Sequence, residues 1–263
     1  METLRVGAAQ VPSAPGDVRR NARTAAEVVR RAGELGVRLV VFPELSLIGY
    51  DLAAVRDREN VVTADDVRLD VLRDTARAAG VTAVVGAACR REGGAVWIAA
   101  LAACPDGQVH VHGKRYLHGP ERDLFQPGGE GVVLNVDGWK VALAVCYDAG
   151  VPDHAAEAAR RGAEVYAGSV LYDTGEARRF DVHFAARAMD HRMYAVAANY
   201  PCGEAGLGAG WASCGASGVW HPDGRRIHRA GADSGLLLAD LAHAELQALR
   251  ARDTRAGYPR GAT

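Results

Sequence analysis

The sequence predicts one α/β domain made of two packed sheets with helices outside them. Three observations predict it. Strand-like and helix-like segments alternate along nearly the whole chain. Some strands turn back at Asp-Gly pairs as hairpins do, whereas others are separated by helical segments, as parallel strands require. Finally, 263 residues with 49% hydrophobic and 24% charged content suffice to bury a large core.

Taken in order, Leu4 to Gln10 reads as a strand, followed by a Pro/Gly turn from Pro12 to Gly16. Asp17 is placed to cap a helix whose apolar positions Val18, Ala22, Ala25, Val29 and Ala32 recur every three or four residues, ending near Gly36. Arg38 to Phe42 is a short buried strand that Pro43 ends. Thr63-x-x-Asp66 resembles a capping box opening a helix through Ala79, stopped by Gly80. Strands follow at Thr82 to Cys89, Ala95 to Ala103 and, after Pro105-Asp-Gly107, to about His112. Val132 to Val136 and Trp139 to Val145 form a hairpin about Asp137-Gly138. A helix from Pro152 to Arg161, a strand from Glu164 to Ser169 and a helix from Glu176 to Arg192 come next, then a strand from Tyr194 to Asn199. A Gly-rich loop, Cys202 to Gly215, leads to a hairpin at Pro222-Asp-Gly224, a strand from Gly235 to Asp240 and a helix from Leu241 to Arg250. Residues 1–250 are read as a single domain and 251–263 as a polar C-terminal tail.

Charge excludes some partners. Lys+Arg 31 against Asp+Glu 32 leaves a net charge of −1, so no overall field draws nucleic acid or an anionic membrane. No stretch is long and apolar enough to span a bilayer, and the first residues lack a basic-then-apolar leader. Five cysteines, an odd number without Cys-x-x-Cys, argue against a disulfide framework or a zinc knuckle and for a reducing, cytoplasmic setting.

The chemistry gathers at strand ends. Val141 to Val145 runs apolar and delivers Cys146-Tyr-Asp148 just before a helix, where backbone N–H groups stabilise a thiolate. Phe42-Pro-Glu44 sets a carboxylate after a second strand, and Lys114 with Glu121 follows a third. Taken singly, Cys146 could be a core residue, Glu44 a turn acid, Lys114 a solvated strand end and Glu121 a partner for Arg115 or Arg122. Other motifs lead nowhere. His110-x-His112 puts two imidazoles on one strand face without a third and fourth ligand, so no metal is expected. Gly206-Leu-Gly-Ala-Gly210 lacks dinucleotide-binding spacing, and no Gly-x-Ser-x-Gly elbow marks a serine hydrolase.

Together these segments resemble the nitrilase, or carbon–nitrogen hydrolase, superfamily. The resemblance runs from Val6-Gly-Ala-Ala-Gln10 to Leu237-Leu-Ala-Asp240. It takes in Phe42 to Tyr50, Lys114, Glu121-Arg-Asp-Leu-Phe-Gln-Pro-Gly128, Cys146-Tyr-Asp148, Ala186 to His191 and Gly215-Ala-Ser217. It implies a four-layer αββα sandwich and a cofactor-free Glu-Lys-Cys triad. Carried over by position, Glu44 is the general base, Lys114 the cationic stabiliser, Cys146 the nucleophile and Glu121 an additional acid. Cys146-Tyr-Asp148 looks more like the amidase branches than the true nitrilases, so the expected substrate is a small aliphatic or amino-acid-derived amide, cleaved through a cysteine thioester. N-carbamoyl or nitrile hydrolysis on the same scaffold stays open, as does a non-catalytic binding protein. Tyr50, Tyr147 and Tyr172, with Trp211, are the candidate pocket aromatics. The resemblance also implies a homodimer or larger homo-oligomer through the helix after Cys146 and the Phe180 to Arg192 helix.

Overall fold

Alternation along the strands decides which side chains meet. The computed structural model describes residues 2–255 apart from 205 and 209, and within it the strands form two six-stranded mixed sheets. With strands numbered along the chain, the first sheet runs in the order β12 (Gly235–Ala242), β1 (Thr3–Gln10), β2 (Leu39–Val41), β3 (Thr82–Arg90), β4 (Val96–Ala103), β5 (Val109–Gly113). The second runs β11 (Arg226–Arg229), β10 (Gly218–Trp220), β9 (Tyr194–Ala198), β8 (Val165–Ser169), β7 (Trp139–Val145), β6 (Val133–Val136). In each, three central strands are parallel, β1-β2-β3 and β7-β8-β9, with antiparallel strands outside them.

The parity of β7, β8 and β9 builds two cores at once. Val141, Leu143, Val145, Val165, Ala167, Val196 and Ala198 face the other sheet, in one core with Val6, Val41 and Val84. The intervening Ala142, Ala144, Tyr166, Ala195 and Ala197 face outward, to a second core with Phe180, Phe184 and Trp220. Helices α3 (Pro152–Arg160) and α4 (Ala177–His191) cover that outer face, and α1 (Val18–Glu34) with α2 (Asp70–Ala79) covers the outside of the first sheet. The four-layer αββα sandwich is therefore the fold. No described helix is long and apolar enough to cross a membrane.

Two elements differ from the sequence reading. Thr63 does not cap α2; its hydroxyl donates to Asp65 Oδ1. Asp66 instead accepts from Arg68 N–H at the start of a 3₁₀ turn, Val67–Leu69, and α2 begins only at Asp70. Near the C-terminus β12 continues to Ala242, since Leu241 is fully buried beside Leu4 across the ladder. The last helix, α5 (His243–Arg255), is correspondingly later, and Asp253 in it pairs with Arg192 at 2.6 Å. Thus 251–255 are helical, and the remainder of the expected tail, 256–263, lies outside the described residues.

Candidate active site

Three strand ends converge at one edge of the sandwich, as open α/β sheets arrange their chemistry. Glu44 follows β2 in a tight turn, with Leu45 at φ 52°. That turn rests on β3 where the backbone is bare: a Cβ on Gly86 would lie 2.3 Å from Leu45 N and 2.4 Å from Pro43 O. Tyr200 Oη donates to Glu44 O at 2.7 Å, holding the turn from the second sheet. Lys114 follows β5, and Glu121 lies in a 3₁₀ turn, Gly119–Asp123, seven residues on. Cys146 closes β7 and opens a 3₁₀ turn, Cys146–Gly150, at φ 44°. A side-chain-bearing residue in the left-handed region costs energy, and here the strained residue is the candidate nucleophile.

Asp148 locks that elbow. Its Oδ2 accepts from Val145 N–H at 3.0 Å, and its Oδ1 accepts from Arg115 N–H at 3.0 Å and Tyr116 N–H at 3.1 Å. One buried carboxylate thus ties the Cys146 turn to the segment immediately after Lys114. His112 Nε2 lies 3.4 Å and His154 Nε2 3.6 Å from Asp148 Oδ2. Among the described residues, these three buried groups form the cluster whose donors lie close enough together to share a metal, all within 4.8 Å. His110 has no part in it. The three backbone donors account for the role of Asp148 without an ion, and burial pushes His154 down to about 4, so its ring is neutral.

Glu44, Lys114 and Glu121 meet out of solvent, with the half-buried Cys146 beside them. Lys114 Nζ donates to Glu44 Oε1 at 2.7 Å and to Glu121 Oε1 at 2.6 Å, and all three side chains are fully buried. Glu121 also accepts from Tyr50 Oη at 2.6 Å and from His118 N–H at 2.7 Å. Glu44 Oε2 is buried with no hydrogen-bond partner. Burial pushes Glu44 up to about 7 against the pull of Lys114, and the Glu121 charge adds to the rise. Lys114 stays above its ordinary range: burial, the largest influence, lowers it, but Glu44, Cys146 and Glu121 together outweigh it. Cys146 Sγ donates to Leu171 O at 3.2 Å, and burial followed by the Glu44 charge holds its thiol well above the usual cysteine value.

A narrow cleft opens onto Cys146, Lys114 and Glu121. Tyr50, Tyr147, Tyr172 and Trp211 all line it, so the structure brings together the expected aromatics. Tyr172 stacks on Phe180 at 4.6 Å, and its hydroxyl meets His183 Nδ1 at 2.9 Å. Sequence reasoning missed His118, Leu171, Glu176, Arg179 and His183, which also line the cleft. His118 sits between Lys114 and Glu121, a usable signal. Leu171 and Glu176 come from the β8–α4 connection and Arg179 and His183 from the first turns of α4, where no local pattern marks them.

Residues 5–251 match the family model described as carbon-nitrogen hydrolase. The chain is 30% identical to a hydrolase from the pqqF 5′ region of Pseudomonas protegens over 248 residues, 92% of this chain and 84% of that one. It is 26% identical to the ω-amidase NIT2 of Danio rerio over 84% of this chain and 82% of that one. Solved structures of an amidase from Nesterenkonia sp. AN1 superpose with a TM-score of 0.80 at 29% identity over 97% of this chain. One, covered over 97% of its length, is a Cys-to-Ala mutant in complex with butyramide. Another, covered over 99%, is a Glu-to-Gln mutant showing Michael addition of acrylamide at the active-site cysteine.

Proposed function

The chain belongs to the carbon–nitrogen hydrolase family, and on that premise we propose that it hydrolyses short aliphatic amides through a thioester on Cys146. The observation that carries this reading is the ammonium of Lys114 bridging two buried carboxylates beside a thiol, with Glu44 Oε2 left free to accept a proton. A thiol held above its usual pKa is no preformed thiolate, so its proton leaves as the sulfur attacks. Glu44 takes that proton. Lys114 has three N–H donors and spends two on carboxylates; the third is available to the tetrahedral oxyanion, together with the backbone N–H of Tyr147.

Glu44 then returns the proton to the departing nitrogen, and ammonia leaves. A water enters, Glu44 removes its proton, and attack on the thioester releases the carboxylate and restores the thiol. Glu121 balances the Lys114 charge and, through Tyr50 and the His118 amide, fixes where the ammonium stands. No cofactor takes part in these steps. Aromatic walls about so narrow a cleft favour a short acyl chain, and the acrylamide and butyramide complexes of the Nesterenkonia amidase support that choice. We further propose a homodimer through α3 and α4, because α4 leaves Val182 and Met189 exposed to solvent.

The test is ammonia release from a panel of short amides, N-carbamoyl compounds and nitriles, with Cys146→Ala alongside. Release from the amides alone, abolished in the variant, is the expected result. Carbon dioxide appearing with the ammonia would move the reading to carbamoyl compounds, and silence across the panel would refute it.

A further inference from the structure

The loop that carries Trp211 is closed at its neck by a backbone pair, and beside that pair stand two cysteines with no part in the chemistry above. Gly203 and Ser213 form an isolated antiparallel bridge. They exchange both hydrogen bonds, Gly203 N–H to Ser213 O at 3.0 Å and Ser213 N–H to Gly203 O at 2.8 Å. Cys202 and Cys214 flank that bridge on its outer side. Their N–H groups turn away from each other, Cys202 to Ala232 O at 2.8 Å and Cys214 to Tyr172 O at 3.0 Å. Beyond the bridge the ladder does not continue, because Gly215 N–H donates to Ser213 Oγ at 3.0 Å. The two segments still run close there: a Cβ on Gly215 would lie 3.5 Å from Cys202 Cβ. Disulfides bridge Cα separations of about 4.4–6.8 Å, a span that residues flanking a hydrogen-bonded antiparallel pair can meet.

We propose that Cys202 and Cys214 are a dithiol that hydrogen peroxide converts to a reversible disulfide across the loop neck. Both are free, Cys202 exposed and Cys214 half-buried. The exposed Cys202 thiolate attacks the peroxide oxygen, giving a sulfenic acid and hydroxide, which takes up the proton that the thiol released. Cys214 sulfur then attacks the sulfenic sulfur; the S–O bond breaks and water leaves with the Cys214 proton. Two thiols and one peroxide yield one disulfide and two waters, the sulfurs losing the two electrons that the peroxide gains. Burial pushes Cys214 up to about 11, which leaves the first attack to Cys202 and the resolving step to Cys214.

The bond would act on the cleft wall. Trp211 packs edge-on against Tyr50 at 4.9 Å, Gly208 N–H donates to Tyr50 O at 2.9 Å, and Tyr50 in turn holds Glu121. A closed neck adds a covalent restraint to that wall, which in the dithiol is held by hydrogen bonds and ring packing.

The test uses the Cys146→Ala chain, so that peroxide cannot consume the reactive-site thiol. It is treated with hydrogen peroxide, alkylated with iodoacetamide, digested and mapped by mass spectrometry. The expected result is a linked pair of peptides carrying Cys202 and Cys214, lighter by two hydrogens and separated again by dithiothreitol. The melting temperature of the oxidised chain rises by about 5 °C, and Cys202→Ser abolishes both effects. The wild-type chain gives the same linked pair. Oxidation of Cys202 to sulfinic acid with Cys214 still alkylated, or a link to another cysteine, would overturn the proposal.

Discussion

At the scale of single residues, the proposed mechanism turns on Glu44. Its carboxyl is raised to about 7 by burial, and a base works only when ionised. As pH falls through that value, Glu44 becomes protonated and kcat/KM must fall with it; above it the base is fully charged and the acid limb is complete. A pH–rate profile of kcat/KM for a short amide checks this. Glu44→Gln keeps the shape and a hydrogen bond to Lys114 but cannot take a proton, and steady-state kinetics should show kcat lowered by about 10²–10⁴-fold. Lys114→Met leaves two carboxylates buried without their cation. Denaturant titration should record a loss of about 3–5 kcal/mol, smaller where the carboxylates can recover a proton.

At the scale of elements, the elbow after β7 depends on the Asp148 clamp. Asp148→Asn keeps the volume but weakens acceptance from three backbone N–H groups, at a cost of about 1–3 kcal/mol. Because the clamp sets Cys146 against Lys114, kcat should fall more than KM rises, and kinetics with thermal melts separates the two effects. The Asp148 carboxyl is held below its ordinary 3.8, chiefly by His112 once burial is overcome. Its contribution is therefore complete above pH 3.8 and lost as pH falls through the lowered value. Elements of this kind mark the limit of what the chain reveals on its own. The apolar run Val141 to Val145 announces β7, and Pro43 and Pro152 announce where chains leave strands or enter helices. That Asp148 meets His112 and His154, or that Cys202 and Cys214 flank one bridge, depends on register between distant segments, and no local spacing encodes it. The misplaced start of α2 has a local cause. Asp66 does cap, but it caps a 3₁₀ turn, and the same side-chain chemistry serves either helix type.

At the scale of the whole molecule, the four layers were legible because strand parity and helix periodicity each survive along long segments. The catalytic candidates were legible because they fall at the ends of those strands. The aromatic walls were less so, since Tyr50, Tyr172 and Trp211 come from three loops that only the packed sandwich brings together. Beyond the single chain, Val182 and Met189 are 44% and 47% exposed on α4, a pattern suited to a second copy of the same helix. Sedimentation equilibrium should give a dimer for the wild type, and Val182→Asp with Met189→Asp should shift it towards monomer with the fold retained.

The central claim, that Cys146 carries the acyl group, is tested most directly by quenching the wild-type enzyme in acid during turnover of butyramide and mapping its peptides by mass. The account predicts a butyryl group on the peptide containing Cys146, absent from Cys146→Ala, which also releases no ammonia. Undiminished ammonia release by Cys146→Ala would contradict it.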